Sequence, residues 1–333
     1  MMGDVRTPLR ATAALLAIAI LAAACSSGDG QPEAQPQGNG DASPTLVPTG
    51  TMSAIVASTD LYAGAPQRVQ VGLVFDDGNL VSYGEVTLRF SYTGTQSNPI
   101  SPTPGPEVVA TYLPTPGQDR REGTPIQATA PTTARGVYEA TDITFAKAGV
   151  WTVEVTAELG DGPHVGTSAF LVDTEPRIPA PGDDAFATDT LLFNDETVPL
   201  GAIDSLAVST GSIPDPRLHT WAISDAVAAG KTALVLFATP AFCMSQFCGP
   251  SVETLAAMEE ATGPEALFIH VEIWKDYEQQ QLNDAAIEWL YRDGDLHEPW
   301  LFLIGPDGKI ADRWGPLFDP DQVLAELQRV ASS

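Results

Sequence analysis

The chain of 333 residues is longer than a usual single domain, so its length favours two domains together with targeting and linker segments. Lys and Arg total 16 against 43 Asp and Glu, which gives a net charge of −27. This charge excludes nucleic acid as an expected partner and predicts a soluble, acidic surface. A hydrophobic fraction of 44% is typical of folded protein, so function is expected to reside in specific sites.

The first residues carry the features of an export signal. Arg6 and Arg10 precede an apolar run at residues 11–24, which is too short for a comfortable membrane span but suits a secretory signal peptide. We therefore predict that residues 1–24 are a signal peptide. Residues 25–50 are mostly Gly, Pro, Gln, Ser and Asp; they cannot bury enough apolar surface to fold and are predicted to form a flexible linker.

The apolar run ends in the sequence Leu-Ala-Ala-Ala-Cys, whose last residue is Cys25. This sequence resembles a bacterial lipobox, in which the cysteine thiol carries a diacylglycerol. The resemblance implies that Cys25 is lipidated and anchors an extracytoplasmic protein to the outer face of the bacterial cell membrane. The alternative is an ordinary cleaved signal with a spare cysteine.

Residues 51–175 have the pattern of short alternating strands, seen at 68–75, 84–90 and 150–155 with turn sequences between them. The pattern predicts an all-β antiparallel sandwich, in which the Pro-rich stretch 97–135 is a long excursion between two strands. The sequence from Tyr138 to Trp151 resembles the late strands of immunoglobulin-like bacterial extracellular domains. A binding or spacer role is expected for this region.

After a second Pro-rich linker at residues 176–190, residues 191–333 alternate buried strands with helices. This alternation predicts an α/β domain. The predicted strands are 233–238, 267–274 and 300–304, and the predicted helices are 252–261, 282–291 and 321–330.

Two sequences in this domain carry a family resemblance. They are Phe-Ala-Thr-Pro-Ala-Phe-Cys at 237–243, followed by a helix, and Glu-Pro-Trp-Leu-Phe-Leu-Ile-Gly-Pro-Asp-Gly-Lys-Ile at 298–310. Together they resemble extracytoplasmic redoxins of the thioredoxin superfamily. The resemblance implies a thioredoxin-like fold with a cis peptide bond before Pro299, which would hold an extended substrate against the reactive sulfur.

The remaining cysteines, Cys243 and Cys248, form a Cys-x4-Cys pair instead of the Cys-x-x-Cys of thioredoxin. On one continuous helix these side chains would point about 140° apart and could not form a disulfide. Because Pro favours the first position of a helix, we predict that the helix begins at Pro250 and that both cysteines precede it.

These features predict an extracytoplasmic, membrane-anchored thiol-disulfide oxidoreductase that acts on protein thiols or disulfides and needs no cofactor. Cys243 is the expected nucleophile, since a nearby helix N-terminus lowers a thiol pKa, and Cys248 the resolving residue. Leu236 occupies the place of the buried acid of thioredoxin, which leaves Glu272 and Glu298 as nearby alternatives. A permanent structural disulfide is the simpler alternative.

Three further functions stay open. The position of His297 resembles that of the histidine in Sco-type copper chaperones, which would make Cys243, Cys248 and His297 a copper site. The cysteine spacing also resembles that of atypical peroxiredoxins, although Thr239 lies four residues before Cys243 and not three. A non-enzymatic surface scaffold is the third. Neither the electron donor nor the oligomeric state is indicated by the sequence.

Overall fold

The computed structural model describes residues 49–243, 245 and 247–332, all of which belong to one compact unit. The predicted signal peptide, Cys25 and the linker up to residue 48 lie outside the described residues. Gly50, predicted as the last linker residue, already belongs to the first strand. Within the described part of the chain, no helix has both the length and the apolar character needed to cross a membrane.

The N-terminal part is built from strands, because its alternating residues bury every second side chain, as in Val153, Val155 and Ala157. Its strands form one curled sheet of ten strands around a shared core. All pairings are antiparallel except that of β1 with β10. The strands are β1 (Gly50–Thr51), β2 (Ser53–Val56), β3 (Gln67–Val74), β4 (Leu80–Ser82), β5 (Glu85–Gly94), β6 (Pro99–Pro114), β7 (Gln127–Thr129), β8 (Gly136–Ile143), β9 (Gly149–Leu159) and β10 (Gly162–Val172).

The Pro-rich stretch 97–135 differs from its prediction. Its first half is strand β6, which spans 16 residues and pairs with β5 before its last residues reach β8. Proline lacks the N–H that a central strand donates, so the composition favoured a loop. The prolines are tolerated here because the first part of β6 is exposed and pairs with β5 alone.

The C-terminal part is an α/β unit around a four-stranded sheet, ordered β12-β11-β17-β18. β12 lies parallel to β11, and the other neighbours are antiparallel. The elements are α1 (Leu200–Ile203), α2 (Ala207–Thr210), a 3-10 helix (Pro216–His219), α3 (Ile223–Ala228), β11 (Ala233–Ala238), α4 (Cys248–Thr262), a second 3-10 helix (Gly263–Glu265), β12 (Leu267–Glu272), β13 (Trp274–Asp276), β14 (Gln281–Leu282), α5 (Asp284–Leu290), β15 (Tyr291–Arg292), β16 (Asp295–Leu296), β17 (Trp300–Ile304), β18 (Ile310–Trp314) and α6 (Pro320–Ala331).

Helices cover both faces of this sheet, which is why β11 is apolar at every position and fully buried. Val235 and Phe237 belong to the core that includes Trp289 of α5. Leu234 and Leu236, which alternate with them, belong to the core formed with α4 and α6. The sheet is thus packed on both faces, and functional side chains can be carried at the ends of its strands.

The segment 176–190, predicted as a linker, packs along the C-terminal sheet. The Gly182 N–H donates to the Ile310 carbonyl at 2.8 Å, and the Ala185 N–H donates to the Gly308 carbonyl at 2.9 Å. Ile178 is buried in the core on the α5 side of the sheet. The segment is therefore part of the folded C-terminal unit and not a free linker between the two parts of the chain.

Candidate active site

The two cysteines lie at the end of β11, where the chain turns into α4. Their Sγ atoms are bonded at 2.23 Å, and their Cα atoms are 6.0 Å apart. Cys243 lies in the connecting loop as predicted, but Cys248 is the first residue of α4. The predicted helix start at Pro250 was therefore two residues late. Proline is tolerated at this third position because the first N–H groups of a helix have no intrahelical partner.

The two sulfur atoms differ in accessibility. Cys248 is fully buried in the core beneath α4, whereas Cys243 is only partly buried. The hydroxyl of Ser245 lies 3.1 Å from the Cys243 Sγ, within the range for hydrogen bonds to sulfur. A partner molecule can thus reach Cys243 more readily than Cys248.

The peptide bond between Glu298 and Pro299 is cis, in agreement with the prediction from the sequence. Strand β17 begins at Trp300, which pairs with Phe237 near the end of β11. This antiparallel register places Pro299 and Glu298 beside the loop that leads to Cys243. The Glu298 carboxylate comes within 3.7 Å of the Cys248 Sγ.

Burial raises the pKa of Glu298 to about 7, and the negative charge of Glu272 adds to this rise. The backbone N–H of Thr239 opposes it by donating to the carboxylate. Burial also raises the pKa of Glu272, although Glu272 accepts hydrogen bonds from the Ser205 N–H at 2.8 Å and from two backbone N–H groups of its own strand end. A carboxyl group that exchanges protons near neutral pH therefore touches the buried cysteine.

The other residues considered from the sequence have separate places. The His297 ring pairs with Asp295 at 3.1 Å and is partly exposed. Among the described residues, the donor atoms of Cys243, Cys248 and Glu298 lie within 4.8 Å of one another in a group that does not include His297. Thr239 is buried, with its hydroxyl 3.4 Å from that of Ser205.

The contact between Glu298 and Cys248 was not predicted, although Glu298 was named as a candidate acid. Its position directly before the expected cis-proline was the available signal. A second group, formed by Asp204, His219 and His270, was missed entirely. Its signal was the presence of His270 within a strand that must be buried, since an ionisable residue there needs a partner.

A scan against protein-family models and a search of curated proteins find no match for this chain.

Proposed function

We propose that this protein is a thiol-disulfide oxidoreductase that works through Cys243 and Cys248. The observation that carries the proposal is the bonded pair with one accessible sulfur and one buried sulfur, the latter in contact with a carboxyl group of pKa about 7. A purely structural disulfide has no need of a proton-exchanging group. It also gains little from closing so short a loop, since stabilisation increases with loop length.

In the reduced protein, the Cys243 thiolate attacks one sulfur of a substrate disulfide. A mixed disulfide forms, and the other substrate sulfur leaves with the bonding electron pair and takes a proton from water. Two features favour the Cys243 thiolate. The N-terminus of α4 carries a partial positive charge, and the hydroxyl of Ser245 can donate a hydrogen bond to the sulfur.

In the second step, the Cys248 thiol passes its proton to the Glu298 carboxylate. The resulting thiolate attacks the Cys243 Sγ and displaces the remaining substrate sulfur, which takes up the proton held by Glu298. Two electrons have then moved from the protein to the substrate, together with one proton from Cys248 and one from water, and the Cys243–Cys248 disulfide is restored. The same steps in reverse oxidise a substrate dithiol.

The finer assignment of the folds is part of this proposal. A thioredoxin-like fold for the C-terminal part is supported by the sheet with helices on both faces, the cysteines at the start of α4 and the cis bond before Pro299. An immunoglobulin-like relation for the N-terminal part is supported by its antiparallel strands and curled sheet. We also propose that the protein lies outside the cytoplasm and is anchored to the membrane through Cys25. This proposal is supported only by the sequence of residues 1–25.

The proposal is tested by measuring the reduction potential of the cysteine pair. The full chain is equilibrated across a series of dithiol and disulfide buffers, and free thiols are trapped with a reagent that adds mass. We expect a reversible two-electron transition that disappears in Cys243→Ser and in Cys248→Ser. A pair that stays oxidised until the protein is denatured would identify the disulfide as structural and end the proposal.

A further inference from the structure

A second cluster of chemically active side chains lies behind the cysteine loop. It consists of Asp204 after α1, His219 at the end of the first 3-10 helix, and His270 in β12. Their exposed fractions are 2%, 1% and 2%, so bulk water does not solvate them. Buried groups of this kind need partners, because an unpaired polar atom in the interior has lost its hydrogen bonds to water without replacement.

The hydrogen bonds of His270 determine which of its nitrogens can bind a cation. Its Nε2 lies 3.0 Å from the carbonyl oxygen of Ala238, which can only accept, so Nε2 carries the hydrogen. In the neutral ring Nδ1 therefore has a lone pair, and it has no hydrogen-bond partner. A histidine whose second ring nitrogen donates to a backbone carbonyl is the usual arrangement of a metal ligand.

The lone pair of His270 faces a carboxylate. Its Nδ1 lies 3.8 Å from the Oδ2 of Asp204, beyond hydrogen-bond distance, and the Nε2 of His219 lies 3.8 Å from the same oxygen. Both ring nitrogens of His219 are buried without a hydrogen-bond partner. The other oxygen of Asp204, Oδ1, already accepts from the Leu206 N–H at 2.9 Å. Electron pairs from three residues thus converge on one small volume, where a cation would satisfy them.

We propose that Asp204, His219 and His270 bind a Zn²⁺ ion. Two imidazole nitrogens and one carboxylate oxygen suit zinc, whose bonds to these donors are about 2.0–2.2 Å long. Tetrahedral geometry at these lengths sets the donors about 3.3–3.5 Å apart. The two nitrogen-to-Oδ2 separations of 3.8 Å need to close by only a few tenths of an ångström, and all three donor atoms already lie within 4.8 Å of one another. The fourth position takes a water molecule, since Glu272 is already committed to backbone N–H groups.

Zinc at this place has a structural consequence. It fastens two segments of the region between residues 200 and 220 to strand β12. Ser205, which directly follows the proposed ligand Asp204, accepts a hydrogen bond from the Ala241 N–H at 3.0 Å. The zinc ligand is thus adjacent in sequence to a residue that contacts the loop leading to Cys243. The inference does not depend on the proposed redox function, because the ligands are separate from the cysteines.

The test uses the full chain without a histidine tag, in its oxidised form so that Cys243 and Cys248 are unable to bind metal. The protein is stripped with a chelator, dialysed and titrated with Zn²⁺, and bound zinc is measured by mass spectrometry. Thermal unfolding is followed in parallel, and Co²⁺ is substituted to read the coordination geometry from visible absorption. The variants are Asp204→Asn and His270→Gln, with His164→Gln in the N-terminal sheet as the matched control.

We expect about one equivalent of zinc, tetrahedral Co²⁺ absorption and a rise of about 5 °C in the unfolding temperature at saturating Zn²⁺. Asp204→Asn and His270→Gln should weaken binding at least about 100-fold, while His164→Gln binds as the unmodified chain does. Because the Co²⁺ spectrum of the unmodified chain is read directly, the test stands even if a variant fails to fold. Absence of zinc and of Co²⁺ absorption in the unmodified chain would overturn the proposal, as would binding that persists in both variants.

Discussion

Glu298 owes its raised pKa chiefly to burial and, to a smaller extent, to a second acid nearby. Glu272 is 1% exposed, and its negative charge makes ionisation of Glu298 more costly. Burial has the larger effect, and together they bring the pKa of Glu298 to about 7. Both the protonated and the ionised forms are then populated at neutral pH. This is the condition under which one group can accept a proton from Cys248 and later return it.

Removing the proposed proton acceptor should slow the second half of the proposed disulfide exchange. In Glu298→Gln, the Cys248 thiol loses its base while the shape of the side chain is retained, so we expect the mixed disulfide on Cys243 to resolve about 100-fold more slowly. The pH–rate profile should also lose its inflection near pH 7. Both are measured by stopped-flow release of a chromogenic thiol from a preformed mixed disulfide. Glu253→Gln, on the exposed side of α4, is the matched control, and an equal effect in both variants would rule out this role.

The same pKa predicts how stability depends on pH. A carboxyl group with a raised pKa binds its proton more tightly in the folded than in the unfolded protein, so its contribution to stability is lost as pH rises from about 4.5 to 7. Relative to the unmodified chain, Glu298→Gln should therefore gain about 1–2 kcal/mol at pH 8 and little at pH 4. Urea denaturation at the two pH values measures this. A difference that is the same at both would contradict the assignment.

At the scale of elements, two of the three predicted buried strands could be predicted from the sequence to the residue, whereas the one predicted at 267–274 ends at Glu272. The strands Ala233–Ala238 and Trp300–Ile304 have the predicted bounds. A short, continuous apolar run is stable only where both faces of the strand are buried, so its ends mark the ends of the strand. The close cysteine pair was visible in the sequence, and the cis bond before Pro299 was implied by the family resemblance. Strand β6 did not, since its prolines are tolerated only because of its position in the sheet. The cluster around His270 required three segments to meet, which no local pattern encodes.

The cysteine loop also rests on the N-terminal sheet. Phe247, directly before Cys248, packs in an apolar cluster with Leu113 of β6, Val137 of β8 and Leu317. The N-terminal part therefore supports one side of the segment that carries the disulfide. Contacts far away in sequence are thus expected to control how readily the disulfide is reduced.

Leu113→Ala tests this support from the sheet side. Removing a buried leucine should cost about 2–5 kcal/mol and, by loosening Phe247, should accelerate reduction of the disulfide by a small dithiol about 3- to 10-fold. Leu88→Ala is the matched control, because Leu88 is fully buried in the sheet core away from this cluster. Reduction rates are followed by thiol trapping under native conditions. Equal acceleration in both variants would show that general destabilisation explains the faster reduction, and would contradict a specific role for the contact between Leu113 and Phe247.

At the scale of the whole molecule, the two parts of the chain are joined by buried polar contacts. Arg313 of β18 pairs with Asp60 at 2.6 Å, and the two residues are 8% and 6% exposed. Gln70 of β3 donates to the Leu317 carbonyl at 2.8 Å and accepts from its N–H at 3.2 Å. Arg68 adds a two-point contact with Asp312 at 2.8 and 2.9 Å. Such directional contacts fix the orientation of the N-terminal sheet relative to the part of the chain that carries the cysteine pair.

Because of this interface, the two parts should unfold together. Scanning calorimetry of the oxidised chain is expected to give one transition, with calorimetric and van 't Hoff enthalpies equal. Asp60→Asn leaves the Arg313 charge buried and unpaired, so it should cost about 3–5 kcal/mol and split the transition in two. Glu107→Gln, which removes an exposed partner of Arg89, should change stability by less than about 1 kcal/mol. Two transitions in the unmodified chain would mean that each part folds independently and that the interface does not orient the two parts.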